Sequence, residues 1–273
     1  MIFQHWQFQP GECVLTGLLL AGYGWITRLE PSSRKKYFFA AMAIFAIAVF
    51  SPLHYAGMHY LVSAHMVSHV LLVLVVPPLL VAGLPRHNAV SRPLQKISEF
   101  LGQIPVAAWL TGVGIMWVWH IPAVFHQLMP VHAMTGEGTR MTMGVTGTLH
   151  LVSLLLAGCV FSWPIINPYR ETRLHPIAAS LYLSAACIFC SLLGLLITFA
   201  PTGLYTGYLP HTTAYFNVQQ GLGITEKMDQ QAAGLIMWVP CCLVYLTGVL
   251  LLLHHWLQHS ELRYPSTIKT LMK

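Results

Sequence analysis

Apolar stretches long enough to cross a bilayer recur seven times along the chain, separated by polar or Pro/Gly-rich connectors. A hydrocarbon core of about 30 Å calls for about 20 residues of helix. Windows near 12–28, 37–54, 60–84, 104–125, 145–166, 177–200 and 231–257 qualify, with connectors such as EPSSRKK (30–36) and LPRHNAVSRPLQK (84–96) between them. The pattern predicts an all-α, polytopic membrane protein: seven transmembrane helices in one domain covering residues 1–273, embedded in the lipid bilayer. No internal repeat or low-complexity tract suggests a division.

Composition agrees. The 273 residues are 56% hydrophobic and 8% charged, against about 25% charged in soluble domains, so the chain lacks the means to cover a water-facing surface. The first ten residues, MIFQHWQFQP, contain no Lys or Arg, and no cleaved secretory signal is expected. The six cysteines fall mostly within apolar runs and do not form the loop framework of a disulfide-stapled domain.

The formal charge of +6 acquires its meaning from its placement. Arg28, Arg34, Lys35, Lys36, Arg86, Arg92, Lys96, Arg170, Arg173, Arg263, Lys269 and Lys273 fall in alternate connectors and the tail, on one side of the predicted bundle. Arg140 and Lys227 alone fall on the other. Basic residues stay cytoplasmic, so the N-terminus is expected outside and the C-terminus inside. A membrane-facing stripe accounts for the charge, and no nucleic-acid partner is expected.

With directions assigned, the fifteen histidines sort by side. His87, His175, His254, His255 and His259 lie in inner connectors or at the boundary. Four of the outer ones sit within spans: His65 and His69 in the outer half of span 3, His120 in the outer third of span 4, and His150 in the outer part of span 5. Alternating chain direction brings all four to one depth. His65 and His69 are one turn apart, about 6 Å of rise, and share a helix face, as do other i, i+4 ligand pairs. Met66 points about 100° away from His65. Imidazole suits Zn, Cu, Fe and Ni, while thioether favours Cu(I). The 4–5 connector HQLMPVHAMTGEGTRMTM (126–143) interleaves His126 and His132 with four methionines. The chemistry leans to copper and leaves zinc and haem iron open.

Three other features touch the site. Pro77 and Pro78 lie two turns below His69, and the helix is expected to kink or loosen there, freeing carbonyls near Val73 and Leu74. Asp229, at the mouth of span 7, is first a helix N-cap, and alternatively a charge donor to the site or a group orienting a ligand histidine. Cys187, Cys190, Cys241 and Cys242 lie near mid-membrane, where Cys is also a common small apolar residue.

The segment SPLHYAGMHYLVSAHMVSHVLLVLVVPPLLVAGLP (51–85) resembles a signature region of the CtaG family of cytochrome c oxidase assembly factors. WVWHIPAVF (117–125), LHLVSLLLAGCVFSWPII (149–166), LLGLLITFAPTGLY (192–205) and DQQAAGLIMWVP (229–240) follow the same family in order, so the resemblance covers roughly residues 50–257. It implies a seven-helix protein of the bacterial plasma membrane that matures a haem-copper oxidase by delivering copper to its catalytic subunit. His65 and His69 match the paired histidines, His120 the histidine after tryptophan, His150 the histidine opening the fifth span, and Asp229 the acidic residue of the DQQ block. His54 departs from the family, standing where many relatives carry an acidic residue. If it joins the site, ligand number and charge change.

The expectation is therefore a copper-handling assembly factor, not an enzyme, since no Ser-His-Asp arrangement or phosphate loop is apparent. Its metal set is His65, His69, His120, His150, His54 and Asp229. Its cargo is copper, and its partner the oxidase catalytic subunit, with room for an extracytoplasmic copper donor. The alternative is a haem-binding electron carrier with axial histidines from facing helices. A retinal-type receptor is set aside because span 7 has no Schiff-base lysine.

Overall fold

The computed structural model describes residues 6, 8, 10–29, 34–85, 91–124, 145–205 and 213–261, and among these the chain is helical with no strand. Helix α1 covers Pro10–Leu29 and α2 covers Lys35–Phe50. At Ser51 the backbone turns extended, and α3 (Pro52–His59) restarts from it: Pro52 supplies a preset first-turn φ, and the Leu53 N–H donates to the Ser51 hydroxyl oxygen at 3.2 Å. After Tyr60 and Leu61 the chain reverses into α4 (Val62–Val70). Gly57 makes the reversal tight, since a Cβ there would lie 2.7 Å from the His65 backbone nitrogen.

Helix α4 runs through a π-helical stretch, Leu71–Val75, into α5 (Val76–Gly83). The loosening expected at Pro77 and Pro78 thus takes the form of a wide turn just ahead of them. Proline offers no N–H to the carbonyl four residues back, and the wider turn absorbs the mismatch without breaking the helix. Helix α6 (Ser91–Gln103) and α7 (Pro105–Trp119) meet at 87°. There follow α8 (Val145–Ile166), a 3-10 turn at Arg170–Thr172, α9 (Pro176–Phe199), α10 (Thr213–Leu222) and the long α11 (Glu226–Glu261).

Among the described residues, five helical stretches are long and apolar enough to cross a bilayer: Lys35–His59, Val62–Gly83, Gly147–Ile166, Pro176–Phe199 and Glu226–Gln258. The bent pair Gln95–Gln103 and Pro105–Trp119 makes a sixth if joined. The fourth expected span is shorter than its window, because α7 ends at Trp119 with His120 as its C-cap. Helix α1 is not among these stretches; Glu12, its threonines and its glycines dilute its apolar run. Large apolar side chains cover the exterior, including Leu181 (68% exposed), Ile188 and Phe199 on α9 and Leu243, Leu250 and Leu251 on α11. That surface suits lipid and would aggregate in water.

The α4–α5 segment is the spine of the interior, contributing to two cores. On one side Val62, Met66, Val70 and Leu74 pack with Met116, Cys190, Met237, Cys241 and Tyr245 of α7, α9 and α11. On the other, Leu72 and Val76 pack with Tyr23, Phe38, Phe45 and Val49 of α1 and α2 and with Leu151 and Leu155 of α8. Met66 belongs to the first core, so it points away from the histidine face, as its angular offset predicts.

Glycines set the closest approaches. A Cβ on Gly158 would fall 2.5 Å from Pro77 Cγ and 2.8 Å from the Val73 carbonyl oxygen, so α8 rests directly on the loosened turn. Replacing Gly158 with Ala is expected to destabilise the protein by about 2 kcal/mol through overpacking against ring and backbone atoms that cannot yield, read as a lower thermal midpoint in detergent. Gly194 and Gly234 similarly let α9 and α11 touch backbone to backbone.

Candidate metal centre

Three helices bring the four histidines of the membrane interior to one place. His65 and His69, both buried, project from the same face of α4 with ring centroids 4.8 Å apart. His150, in the first turns of α8, lies 4.6 Å from His69 and 6.2 Å from His65, nearly parallel to the latter. His120, at the C-terminal end of α7, stands 5.3 Å from His69 on its other side. His69 is the hub, adjacent to all three other rings.

Local chemistry holds the outlying rings. A carbonyl can only accept, so His120 Nδ1–H donates to the Met116 carbonyl at 2.7 Å. In the neutral ring Nε2 then keeps its lone pair. The Tyr205 hydroxyl donates to the His120 carbonyl at 3.0 Å, tying down the end of α7. Trp119 packs edge-on against His150 at 4.4 Å, and its indole N–H donates to Ser153 Oγ at 2.9 Å. His69 is different: neither ring nitrogen has a hydrogen-bond partner among the described residues. A buried imidazole with no partner is costly, and its ring can turn without breaking a bond.

A cavity of about 30 Å³ opens on this face, lined by Glu12, Val49, His54, Met58, His65, Ser68, His69, Leu72, Gly147, His150 and Leu151. It admits a water or a bare ion and nothing larger. His54, on α3, lines it as the departure from the family allowed, with Nε2 3.6 Å from a carboxylate oxygen of Glu12. Among the described residues, no three His, Cys, Asp or Glu side chains stand with donor atoms already arranged around one ion position. The rings are gathered, and a metal would have to turn them to converge.

Glu12, 1% exposed, was not anticipated. It sits at the very edge of the first apolar window, where it reads as a first-turn helix residue. The available signal was that ionisable residues inside a span are functional by default.

Asp229 lies elsewhere. It does not line the cavity but faces the N-terminus of α4, accepting from the Val62 N–H at 2.7 Å, the Ser63 N–H at 3.1 Å and the Ser63 hydroxyl. Its neighbour Gln230 does the converse for α9, donating Nε2–H to the carbonyls of Ile197 and Ala200 at 3.2 and 2.8 Å. An acidic side chain at a helix start and an amide N–H at a helix end answer the unpaired groups found there. Cys187, Cys190, Cys241 and Cys242 form a separate cluster between α9 and α11, with the Cys187 and Cys242 sulfurs 3.1 Å apart. His126, His132 and the methionines of the 126–143 connector lie outside the described residues.

Residues 18–259 match the family described as cytochrome c oxidase caa3 assembly factor. The chain belongs to that family. The match takes in every histidine of the cluster, the proline-loosened turn and the Asp229–Gln230 pair, and begins after Glu12. No curated protein and no solved structure matches the chain. Membership in the caa3 assembly factor family makes a cytochrome c oxidase the partner, and the apolar helices make the chain a multi-pass membrane protein.

Proposed function

We propose that this caa3 assembly factor carries copper, binding it as cargo on the histidine cluster and passing it to the oxidase's catalytic subunit. The observation that carries the reading is the convergence of four buried imidazoles, centroids 4.6–6.2 Å between neighbours, around a His69 ring with no hydrogen-bond partner. Neutral imidazoles favour late first-row metals, copper above zinc in intrinsic affinity. Open imidazole sets also release their ion more readily than closed thiolate cages, which suits a carrier. His65, His69, His120 and His150 serve as ligands, His54 stands at the rim, and Asp229 positions α4 without touching the metal.

The orientation is N-terminus outside and C-terminus inside, with α1 and α7 completing seven membrane elements in a bacterial plasma membrane. The charge asymmetry of the connectors supports this, as do the outward apolar side chains of α1, Val14, Leu18 and Trp25. The histidine cluster then opens toward the extracytoplasmic side, where a copper donor reaches it. The cavity of about 30 Å³ favours a bare ion over a haem macrocycle.

Purified protein loaded with copper and freed of excess is expected to retain about one equivalent by metal analysis, and to show no Soret band. Protein that retains no copper after loading overturns the assignment.

A further inference from the structure

The cavity has two chemically different ends. One is made of the rings His65, His69 and His150. The other carries the cavity's one carboxylate, Glu12, with His54 beside it, Nε2 to Oε1 3.6 Å. Glu12 is delivered there by a close approach: Gly11 lies so near α8 that a Cβ would meet Thr148 Oγ1 at 2.6 Å, two residues before His150. The first turn of α1 is thereby seated on the histidine-bearing turn of α8. Glu12 is 1% exposed and lines the cavity with His54, His65, His69 and His150, and an ionisable side chain at such depth in a membrane protein marks a functional position.

We propose that Glu12 is the charge-discriminating ligand of this cavity, which makes it a site for a divalent transition-metal ion, with His54 as the neighbouring donor. The inference rests on the metal-carrier reading above and adds to it the valence of the ion held. Imidazoles alone bind mono- and divalent copper through the same lone pairs. A carboxylate adds a full negative charge, and its attraction to a divalent ion is twice that to a monovalent one at equal distance. Carboxylate oxygen is also a poor partner for the soft monovalent ion and a good one for the harder divalent ion. Glu12 thus makes the resting cavity hold Cu²⁺ in preference to Cu⁺. Displacing the first turn of α1 is then a way to let the ion go, because it withdraws the anionic ligand while leaving the four rings in place.

The test is a pair of titrations on the full-length protein in detergent, one with Cu²⁺ and one with Ag⁺, the redox-inert monovalent stand-in for Cu⁺. In Glu12→Gln, Cu²⁺ binding is expected to weaken at least about tenfold, the scale on which single groups around a metal act, while Ag⁺ binding falls by the smaller factor that half the charge dictates, about threefold. Glu12→Asp, which keeps the charge, restores Cu²⁺ binding in part. The Cu²⁺ EPR spectrum of the wild type is expected to show a mixed nitrogen and oxygen donor set. A wild type that binds neither ion defeats the carrier reading itself. A wild type that binds both ions, with Glu12→Gln leaving both affinities unchanged or lowering both equally, or an all-nitrogen EPR spectrum, overturns the role of Glu12 alone.

Discussion

The double variant His65→Ala/His69→Ala is expected to lose copper binding altogether and to leave the oxidase catalytic subunit copper-deficient. His69 touches His65, His120 and His150 at centroid separations of 4.8, 5.3 and 4.6 Å, so its removal leaves no ring in contact with all the others. Taking His65 as well strips α4 of both donors and leaves His120 and His150 without a bridging ring. Groups merely supporting a ligand are worth about 10- to 100-fold in metal affinity, and two ligands removed together exceed that. Among single variants, His69→Ala is expected to cost most. The fold does not suffer in proportion. The His69 nitrogens make no hydrogen bond among the described residues, so alanine removes a desolvation penalty at the same time as it opens a small void. The expected result is a thermal midpoint near the wild type beside copper retention at background. A variant that still holds copper normally ends the assignment of this cluster as the cargo site.

The four rings were legible in the sequence because two simple rules compose. Spacing of four places His65 and His69 on one face, and alternating span direction brings His120 and His150 to their level. The proline pair likewise announced a loosened helix, which the π turn at Leu71–Val75 supplies. What escaped was what depends on tertiary contact. Hydrophobic periodicity treated 37–54 as one run and 84–96 as a connector. In the structure Ser51 and Pro52 end one helix and start the next, and α6 is an amphipathic helix pinned by Ser98, which bonds to Thr172 at 2.8 Å and accepts from Trp163 at 3.1 Å. Glu12 escaped because nothing local says that Gly11 lets α1 press against α8. Asp229 read as a cap, and it is one, but of a helix 167 positions away in the chain.

That distant cap has the second large consequence. Helix α4 begins after Leu61, which has no side chain able to accept a hydrogen bond, so its first N–H groups rely on the Asp229 carboxylate. Both oxygens are occupied: one by Val62 N–H at 2.7 Å, the other by Ser63 N–H at 3.1 Å and the Ser63 hydroxyl. Asp229 is 1% exposed, so water is not there to replace it. Charged hydrogen bonds of this kind contribute about 1.5–3 kcal/mol each, and donors left buried and unpaired add their own penalty. Asp229→Ala is therefore expected to destabilise the protein by about 3–5 kcal/mol, placing it among the severe single substitutions, and to weaken copper binding because His65 lies in the very next residues of the freed turn. Asp229→Asn separates positioning from ligation. Its amide keeps one acceptor oxygen and loses the charge, so a residue that acts by capping shows a partial fall in thermal midpoint matched by a partial fall in copper affinity. A metal ligand would behave otherwise, with copper lost while the midpoint held. The geometry, with the carboxylate spent on α4 and absent from the cavity wall, favours the first outcome.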